Sequence, residues 1–474
     1  LSIHREAARC VANLLSSSAC HRLFLDDGGL ISLFRLCSSL DVETQYNCAL
    51  IFRKLSPVLS NHEVIIAKKG LGPLHTLTMT QDIDVNRQAV AALRDMASNL
   101  NFKAIMAEQG CLKRAIDLTR DPDLQIRTLA MGTLRHLTVN SRVKRPIITE
   151  GGLGPIYAAI EDISQDIDLL RQCSAILSYV TENGENQITL IKDDVLPRLI
   201  HLSNIDHPEV QQDVAKCFAS LTANAENHTG VFGAAELKSI FHLCESPEEN
   251  CCRDALVSIG NLAITAKNQL MMVKLGGLQH CVACLNSEFE SCQRFACRIM
   301  YRLASHPELQ GAVLQAGAVE SLNRLCASPS PLVRKFAIMS LCNISVQPQN
   351  QLMMAQQGAL PPIIYMLTDS EEICSRYAAM CIINLSTEGA NQVHITKQGA
   401  LPLLIKLATA QDTEASRYAG MAIANLACHR QNRVPITALG GLKPLGLMAY
   451  AKNLETQRAA SLSFYNLSCA YDQG

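Results

Sequence analysis

The stretch Ala422–Cys428, AIANLAC, places Asn425 at the centre of an apolar, helix-forming run. Asparagine is a mediocre helix former, and burying its amide is costly unless the amide finds hydrogen-bond partners. Similar stretches surround Asn343, Asn384 and Asn466, so that four asparagines follow one another at intervals of 41 residues. The asparagine is therefore a repeated feature, and its surroundings indicate a repeated helix.

The repeat extends over the whole chain, with a second column of glycines that confirms the period. A period near 40 residues is typical of stacked units of two or three helices, none of which can bury its apolar faces alone. One unit reads as a short first helix at about Ala390 to Lys397, a tight turn at Gly399, a second helix ALPLLIKLAT, and a longer third helix at about Glu414 to Ala427. The asparagine column is placed at positions 13, 53, 95, 135, 179, 220, 261, 302, 343, 384, 425 and 466, and the glycine column at Gly28, Gly70, Gly110, Gly151, Gly276, Gly317, Gly358, Gly399 and Gly440.

The composition favours a protein partner over nucleic acid or a membrane. The chain has 474 residues, 48% of them hydrophobic, and a net charge of −1, so no global field attracts nucleic acid or anionic lipid. No apolar run approaches the roughly 20 residues that a membrane span needs. Because the chain starts at Leu1, partway into a repeat, we expect it to be a piece of a longer protein, in which a membrane anchor would have to lie outside this segment.

Twenty cysteines are scattered along the chain. Cys251, Cys292 and Cys374 share one repeat position with Val333 and Ala415, which indicates that cysteine serves here as a small hydrophobic residue. We therefore predict free thiols in a reducing, cytoplasmic environment.

One group of cysteines resembles a zinc site. CVAC contains Cys281 and Cys284, and two further cysteines follow at Cys292 and Cys297. The repeat counterparts of the first two are leucines at positions 322 and 325, which predicts buried core positions. We expect no metal and no cofactor.

No motif for catalysis is present in the sequence. It contains no phosphate-binding loop, no metalloprotease helix motif and no nucleophile elbow. A stack of helical repeats offers an extended surface rather than a convergent pocket, so we predict that this segment is not an enzyme.

The three-helix unit, the QGALPLL turn and the SRYAGMAIANLA third helix resemble armadillo repeats, including those of catenins and of vacuolar and flagellar central-pair armadillo proteins. The resemblance implies an all-α fold, a right-handed superhelical α-solenoid of about twelve repeats with the first one incomplete. We predict one continuous domain over residues 1–474, with a degenerate asparagine column over 1–240 and more regular repeats over 241–474.

The resemblance also implies that third helices line a concave groove, where the asparagine binds the backbone of an extended peptide. An amide suits this task because it offers both a donor and an acceptor. Nuclear-import adaptors of the family carry tryptophan four residues before the asparagine, and this chain has no tryptophan, so a clamp for basic targeting peptides is not expected. The residues at that position in the last six repeats are Val257, Arg298, Met339, Met380, Met421 and Leu462.

A cationic column lies eight residues before the asparagines, on the same face of the third helix at 3.6 residues per turn. Its residues either bind a partner, or cap loops and pair with acids in adjacent repeats. Arg294, Arg298 and Arg302 follow one another at i, i+4 and i+8, where they repel unless an anion is present. The column contains Arg5, Gln45, Arg87, Arg127, Arg171, Gln212, Arg253, Arg294, Lys335, Arg376, Arg417 and Arg458. The candidate peptide-binding residues are Asn261, Asn343, Asn384, Asn425, Asn466, Arg253, Arg294, Arg298, Arg302, Lys335, Arg376, Arg417 and Arg458.

Two functions fit these patterns. The first is a protein–protein interaction scaffold that binds an extended, acidic partner segment in the groove. The alternative is a structural component of a cytoskeletal or ciliary (axonemal) assembly, contacted along its edges and convex face, which the loss of asparagine in repeats two to six favours for the N-terminal half. The predicted location is accordingly cytoplasmic, cytoskeletal or ciliary, and the sequence favours no particular oligomeric state.

Overall fold

The computed structural model describes residues 2–162 and 166–468, and within these residues it consists of helices and connecting turns without a β-strand. The chain divides between Leu221 and Thr222 into two compact units, here called unit 1 and unit 2. Repeats 1–6 form unit 1 and repeats 7–12 form unit 2. No helix of the described part combines the length and the apolarity that crossing a membrane requires.

Each repeat ends with a long third helix, and within each unit the third helices pack against one another in chain order. The third helices of repeats 1–6 are Ser2–Leu14, Val42–Leu55, Ile83–Ala97, Leu124–Thr138, Ile167–Thr181 and Pro208–Ala223. Those of repeats 7–12 are Glu249–Leu262, Glu290–Ala304, Pro331–Ile344, Glu372–Leu385, Thr413–Leu426 and Leu454–Ser468.

Shorter first and second helices precede the third helix in every repeat after the first. In repeats 2–6 they are Ala19–Asp26 and Gly29–Leu36, Leu59–Ala67 and Leu71–Thr78, Lys103–Glu108 and Cys111–Leu118, Pro146–Thr149 and Leu153–Ile160, and Gly184–Lys192 and Val195–Ser203. In repeats 7–12 they are the 3₁₀ helix Ala225–His228 and Ala234–Cys244, Ala266–Lys274 and Gly277–Leu285, Gln310–Gln315 (preceded by the 3₁₀ helix Pro307–Leu309) and Ala318–Leu325, Pro348–Gln356 and Leu360–Met366, Gly389–Lys397 and Ala400–Leu407, and Arg430–Ala438 and Leu442–Ala449.

Repeat 11 shows how the sequence directs the chain through these helices. Gly399 adopts a left-handed conformation, φ 85°, which ends the first helix and starts the second. Asp412 caps the third helix, because its carboxylate accepts hydrogen bonds from the backbone N–H groups of Glu414 and Ala415. Ala419 and Ile423, four residues apart, turn one stripe of this helix into the core.

The left-handed residue recurs at this position, but the glycine predicted for repeat 3 is wrong by one residue. Lys69, with φ 64°, adopts the left-handed conformation, whereas Gly70 has φ −69°. A Cβ atom at Gly70 would lie 2.7 Å from Cγ2 of Ile65, so this glycine is needed for close packing. With Lys69 in place, the column runs at 41-residue intervals from Gly28 to Gly151.

The asparagine column needs a similar correction in repeats 2 and 4, where Arg53 and Arg135 were assigned to it. Lys54 donates a hydrogen bond to the carbonyl of Ala12, 42 residues earlier, as asparagines of later repeats do. The equivalent position in repeat 4 is His136. Lys54 and His136 are assigned to the column because each precedes a buried leucine that continues the core stripe of its helix. The corrected column, here called the ladder, then runs at 41-residue intervals from position 13 to position 136.

In several repeats a pair of polar side chains, mostly buried amides, joins the first helix to the helices before it. In repeat 11, Asn391 donates to the carbonyls of Leu385 and Gln351, both at 3.1 Å, and Gln392 donates to the carbonyl of Ser386 at 2.9 Å. The bonds to Leu385 and Ser386 satisfy carbonyls that the preceding third helix leaves open at its C-terminus, and the bond to Gln351 reaches the first helix of the repeat before. The same pair of positions is occupied by Asn61 and His62, Asn186 and Gln187, Asn268 and Gln269, Asn350 and Gln351, and Asn432 and Arg433.

The cysteines belong mainly to the core. Every cysteine that the structure describes is a free thiol, and all of these except Cys10, Cys20 and Cys428 are buried. Burial raises the pKa of the Cys111 and Cys173 thiols to about 12, so these groups are neutral and unreactive at physiological pH.

Candidate peptide-binding face

The asparagines of unit 2 lie half-exposed on its third helices, and each binds the helix before it. Nδ2 of Asn425 lies 3.2 Å from the carbonyl of Ile383 and 3.1 Å from Oγ of Ser386. Asn384 makes the same two contacts one repeat earlier, and Asn343 donates to the carbonyl of Tyr301 at 3.2 Å. An asparagine is therefore tolerated in an apolar helix because its amide joins two neighbouring repeats.

The first and last asparagines of the ladder in unit 2, and the arginine that interrupts it in repeat 8, keep part of this arrangement. Asn261 donates to Oγ1 of Thr222 at 3.4 Å, and Asn466 approaches Sγ of Cys428 at 3.5 Å. Arg302, which replaces asparagine in repeat 8, donates to the carbonyl of Gly260, 42 residues earlier. The interruption changes the side chain but preserves the contact between repeats.

These contacts use only part of each amide. Asn343, Asn384 and Asn425 have no other described residue within hydrogen-bonding distance of Oδ1, and all three are half-exposed. Each retains an acceptor oxygen and a second N–H, which are the two groups needed to pair with one peptide unit.

Two of the candidate cations are already paired with acids. Nε of Arg376 lies 2.5 Å from the carboxylate of Asp412, the cap of the next third helix, and its Nη1 lies 3.3 Å from Glu414. Nη2 of Arg253 lies 2.9 Å from the carboxylate of Asp254. These two residues are therefore paired with acids of the same chain, as the alternative interpretation of the cationic column allowed.

The cationic column is also less regular in its spacing than the sequence suggested. Gln45 and Arg127 lie nine residues before the corrected ladder positions, and their side chains donate to the carbonyls of Ser39 and Asp121 in the preceding loop. These two residues therefore hold loops, as the alternative interpretation allowed.

Arg294, Arg298 and Arg302 form a group without a carboxylate in contact among the described residues. The guanidinium carbons of Arg294 and Arg298 lie 4.9 and 5.4 Å from the centre of the Phe295 ring. Nε of Arg298 is buried without a hydrogen-bond partner in the described part of the chain. Burial, and then the charge of Arg294, lowers the pKa of Arg298, while burial and Arg298 lower the pKa of Arg302. The site therefore holds positive charge that an anion would stabilise.

The remaining candidate cations are accessible. The guanidinium of Arg417 lies 4.8 Å from the centre of the Tyr418 ring. Lys335 is half-exposed and Arg458 is exposed, and no described acid contacts either of them.

An aromatic column on the same face was missed in the sequence. Four half-exposed rings lie seven residues before the ladder positions of repeats 8–11, again at 41-residue intervals. Their spacing could have revealed them, but the low aromatic content of the whole chain drew attention away from it. They are Phe295, Phe336, Tyr377 and Tyr418.

Metal-binding geometry does not occur in the described residues. No three or more histidine, cysteine, aspartate or glutamate side chains among them are arranged to hold an ion. Sγ of Cys252 and Sγ of Cys284 approach to 3.9 Å, but both thiols are buried and protonated, and the contact with Cys284, together with burial, raises the pKa of Cys252 to about 12.

Comparison with known proteins gives structural similarity without sequence relatives. No family model and no curated protein matches the chain. A structure titled for a phosphorylation switch that controls the interaction between cadherin and β-catenin aligns with 98% of this chain and 96% of its own, at 14% identity and a TM-score of 0.70. A crystal structure of an engineered protein aligns with 93% of this chain and 98% of its own, at 21% identity and a TM-score of 0.54.

The similarity to the first of these structures identifies the fold. The chain is an all-α solenoid of about twelve armadillo repeats with an incomplete first repeat, as the sequence predicted.

Proposed function

We propose that the chain is a non-enzymatic scaffold that binds an extended, acidic protein segment along the third helices of unit 2. The observation that carries this proposal is the ladder of Asn343, Asn384 and Asn425, in which one N–H holds the repeats together while the rest of the amide stays available. Because the available groups recur once per repeat, they suit a ligand with a regularly repeating backbone.

The arginines of repeat 8 give the ligand its charge. Arg294, Arg298 and Arg302 lie along one stripe, and their mutual repulsion is relieved by an anion. A guanidinium binds carboxylate or phosphate with two parallel hydrogen bonds and stays charged while doing so. An acidic side chain of the partner therefore docks here.

The aromatic column supplies apolar contact beside the amides. The ring centre of Phe336 lies 6.2 Å from that of Tyr301, which is next to Arg302 in the chain. Half-exposed rings offer a large contact area at a low cost in side-chain entropy, which favours their use in binding. The β-catenin structure named above concerns an interaction with another protein, which is consistent with this use of the fold, although fold alone does not determine function.

Charge reversal tests the proposal. Arg298→Glu together with Arg302→Glu should weaken the binding of an acidic partner by roughly 2–5 kcal/mol if the contact is desolvated. The double variant Asn384→Ala and Asn425→Ala should weaken binding whatever the partner's side chains, because the lost contacts are to its backbone. Affinity can be measured by calorimetry with a partner isolated by affinity purification on the wild-type chain.

Arg324→Glu is a matched control, since Arg324 is exposed on a second helix and lies outside this face. If affinity survives all substitutions, the face does not bind the partner. Association with filaments or axonemes would then favour the alternative role, a structural component of a cytoskeletal or ciliary assembly.

A further inference from the structure

Unit 1 carries a column of arginines that unit 2 lacks. Arg53, Arg94 and Arg135 follow one another at 41-residue intervals, each one residue before a ladder position. The same position is occupied by Ser178 in repeat 5 and by Gly260 in repeat 7. Small residues therefore suffice for packing there, and the arginines need another explanation.

The arginine column has more positive charge than its neighbours neutralise. Asp95 accepts from Arg53 and, at 2.9 Å, from Nη2 of Arg94. The side chain of Arg135 makes no hydrogen bond or ion pair with the described residues. Two acids feel the charge of Arg135 without contacting it: Glu209 is bound by Arg171 at 2.6 Å, and buried Asp213 accepts from Oγ of Ser174 at 3.0 Å.

A further cation lies behind this column. Lys103 has 3% of its surface exposed and occupies the position where Gln187, Gln269 and other neutral donors bind a carbonyl six residues earlier. Lys103 makes no such bond in the described part of the chain. Burial and the charge of Arg135 lower the pKa of Lys103.

His136 shows the effect of these charges. Its pKa falls to about 4 because of burial first, and then because of Arg135, Lys103 and Arg94, with a smaller opposing effect of Asp95. Burial is the main cause, and the three cations act in the same direction, which shows that their charges reach His136.

The cations border an open cleft between the third helices of repeats 3, 4 and 5. The cleft has a volume of about 390 Å³. It exists partly because Gly132 has no side chain, and a Cβ atom there would lie 3.1 Å from Cδ of Arg94. The one further acid in the lining, Asp168, is paired with Arg171 at 3.2 Å. The donors in the lining are Arg94, Arg135, Ser98, Thr128 and Gln172.

We propose that this cleft binds a phosphate monoester carried by a protein segment, with Arg135 and Arg94 in contact and Lys103 contributing charge. Two uncompensated cations, Arg135 and Lys103, match the charge of a phosphate dianion better than that of a carboxylate. The side-chain amide of Gln172 offers a further donor to the phosphate oxygens, and the hydroxyls of Ser98 and Thr128 can donate to them by turning away from the carbonyls of Asp95 and Leu124. The site lies in unit 1 and takes a different ligand class, so it goes beyond the function proposed for unit 2.

The test uses the full chain and three short peptides that are identical except for a central phosphoserine, serine or glutamate, together with inorganic phosphate. Calorimetry should show that the phosphoserine peptide binds at least tenfold more tightly than the other two peptides and than inorganic phosphate, and that salt weakens its binding. Equal binding of phosphoserine and serine peptides overturns the proposal. Inorganic phosphate that binds as tightly as the phosphoserine peptide overturns the assignment to a protein segment.

Two variants separate binding from packing. Arg135→Gln should reduce phosphoserine-peptide affinity at least tenfold, and Lys103→Gln severalfold, while neither lowers the thermal unfolding midpoint. Glutamine is the residue that several repeats carry at the Lys103 position, and both changes relieve repulsion. Arg142→Gln removes the same charge at an exposed position outside the cleft and should change neither quantity. Unchanged affinity in Arg135→Gln, or unfolding of both variants, would show that these residues serve packing instead.

Discussion

Lys54 and Arg302 show that a ladder position is defined by its geometry rather than by asparagine. Each donates to a carbonyl 42 residues earlier, as Asn343 does. Asp95 reverses the polarity, because it accepts from Oγ of Ser56 at 3.2 Å while two arginines neutralise it. Any side chain that reaches the preceding third helix and satisfies a polar group there can occupy the position.

The left-handed backbone of Lys69 leads to a prediction about a single residue. Its φ of 64° costs a non-glycine residue about 1 kcal/mol or more, and glycine occupies this position in most other repeats. Lys69→Gly should therefore increase the free energy of unfolding by roughly 1 kcal/mol in urea titrations, after allowance for the greater freedom of glycine in the unfolded chain.

Lys68→Gly is the matched control. Lys68 has φ −84°, a conformation that any residue adopts, so glycine there should destabilise the protein by about 0.5–1 kcal/mol. Equal effects of the two substitutions would argue against strain at Lys69.

At the scale of the helix, two sets of asparagines have different tasks. Ladder residues such as Asn425 lie half-exposed and bind the preceding third helix with one N–H. First-helix residues such as Asn432 have 1% of their surface exposed and donate to two carbonyls, those of Gln392 and Leu426, at 3.0 and 3.1 Å. If the proposed function holds, binding and stability depend on different helices of the repeat.

Alanine substitution should separate these tasks. Asn432→Ala removes two buried hydrogen bonds, to the carbonyls of Gln392 and Leu426, and should cost about 1–3 kcal/mol of stability, without a direct effect on a ligand of the third helices. Asn425→Ala should cost about 1 kcal/mol, because water can replace the lost bonds, but should weaken partner binding. Chemical unfolding and calorimetry on both variants measure the two quantities, and a reversed ranking of stabilities would contradict this division.

At the scale of the molecule, the two units carry different surfaces on the same repeat. Unit 1 has the arginine column and charged ladder residues, whereas unit 2 has asparagines and aromatic rings. In a solenoid each repeat contacts mainly its neighbours, so a local change in the core should remain local.

Two core substitutions test this locality. Phe52, in unit 1, and Phe241, in unit 2, have at most 2% of their surface exposed. Replacing either by alanine should lower the free energy of unfolding by about 3–5 kcal/mol. Hydrogen exchange followed by mass spectrometry should show faster exchange near repeats 1–3 for Phe52→Ala and near repeats 7 and 8 for Phe241→Ala. Tyr450→Ala, at a position 90% exposed, is the control. Uniform acceleration along the chain would contradict the expectation.

Much of the fold could be predicted from the sequence because the period is encoded in residues with special backbone or hydrogen-bonding needs, such as Asn425 and Gly399. The ladder positions in repeats 2 and 4 could not be predicted, because Arg53 and Arg135 resemble Arg302, which occupies a ladder position in repeat 8. Only the spacing of the buried leucines identifies Lys54 and His136 as the ladder residues. The pairing of Arg376 with Asp412, 36 residues away, depends on how adjacent repeats pack. Local spacing alone does not reveal it.

The ladder contact between a side chain and a carbonyl 42 residues earlier has an evolutionary consequence. When genes recombine unequally between corresponding positions of two neighbouring repeats, the product gains or loses a whole repeat. Across repeats 9–11, donors and acceptors are the same from one repeat to the next, so each junction in the product still finds a partner. The length of the face in unit 2 can therefore change by whole repeats during evolution without a new interface having to arise.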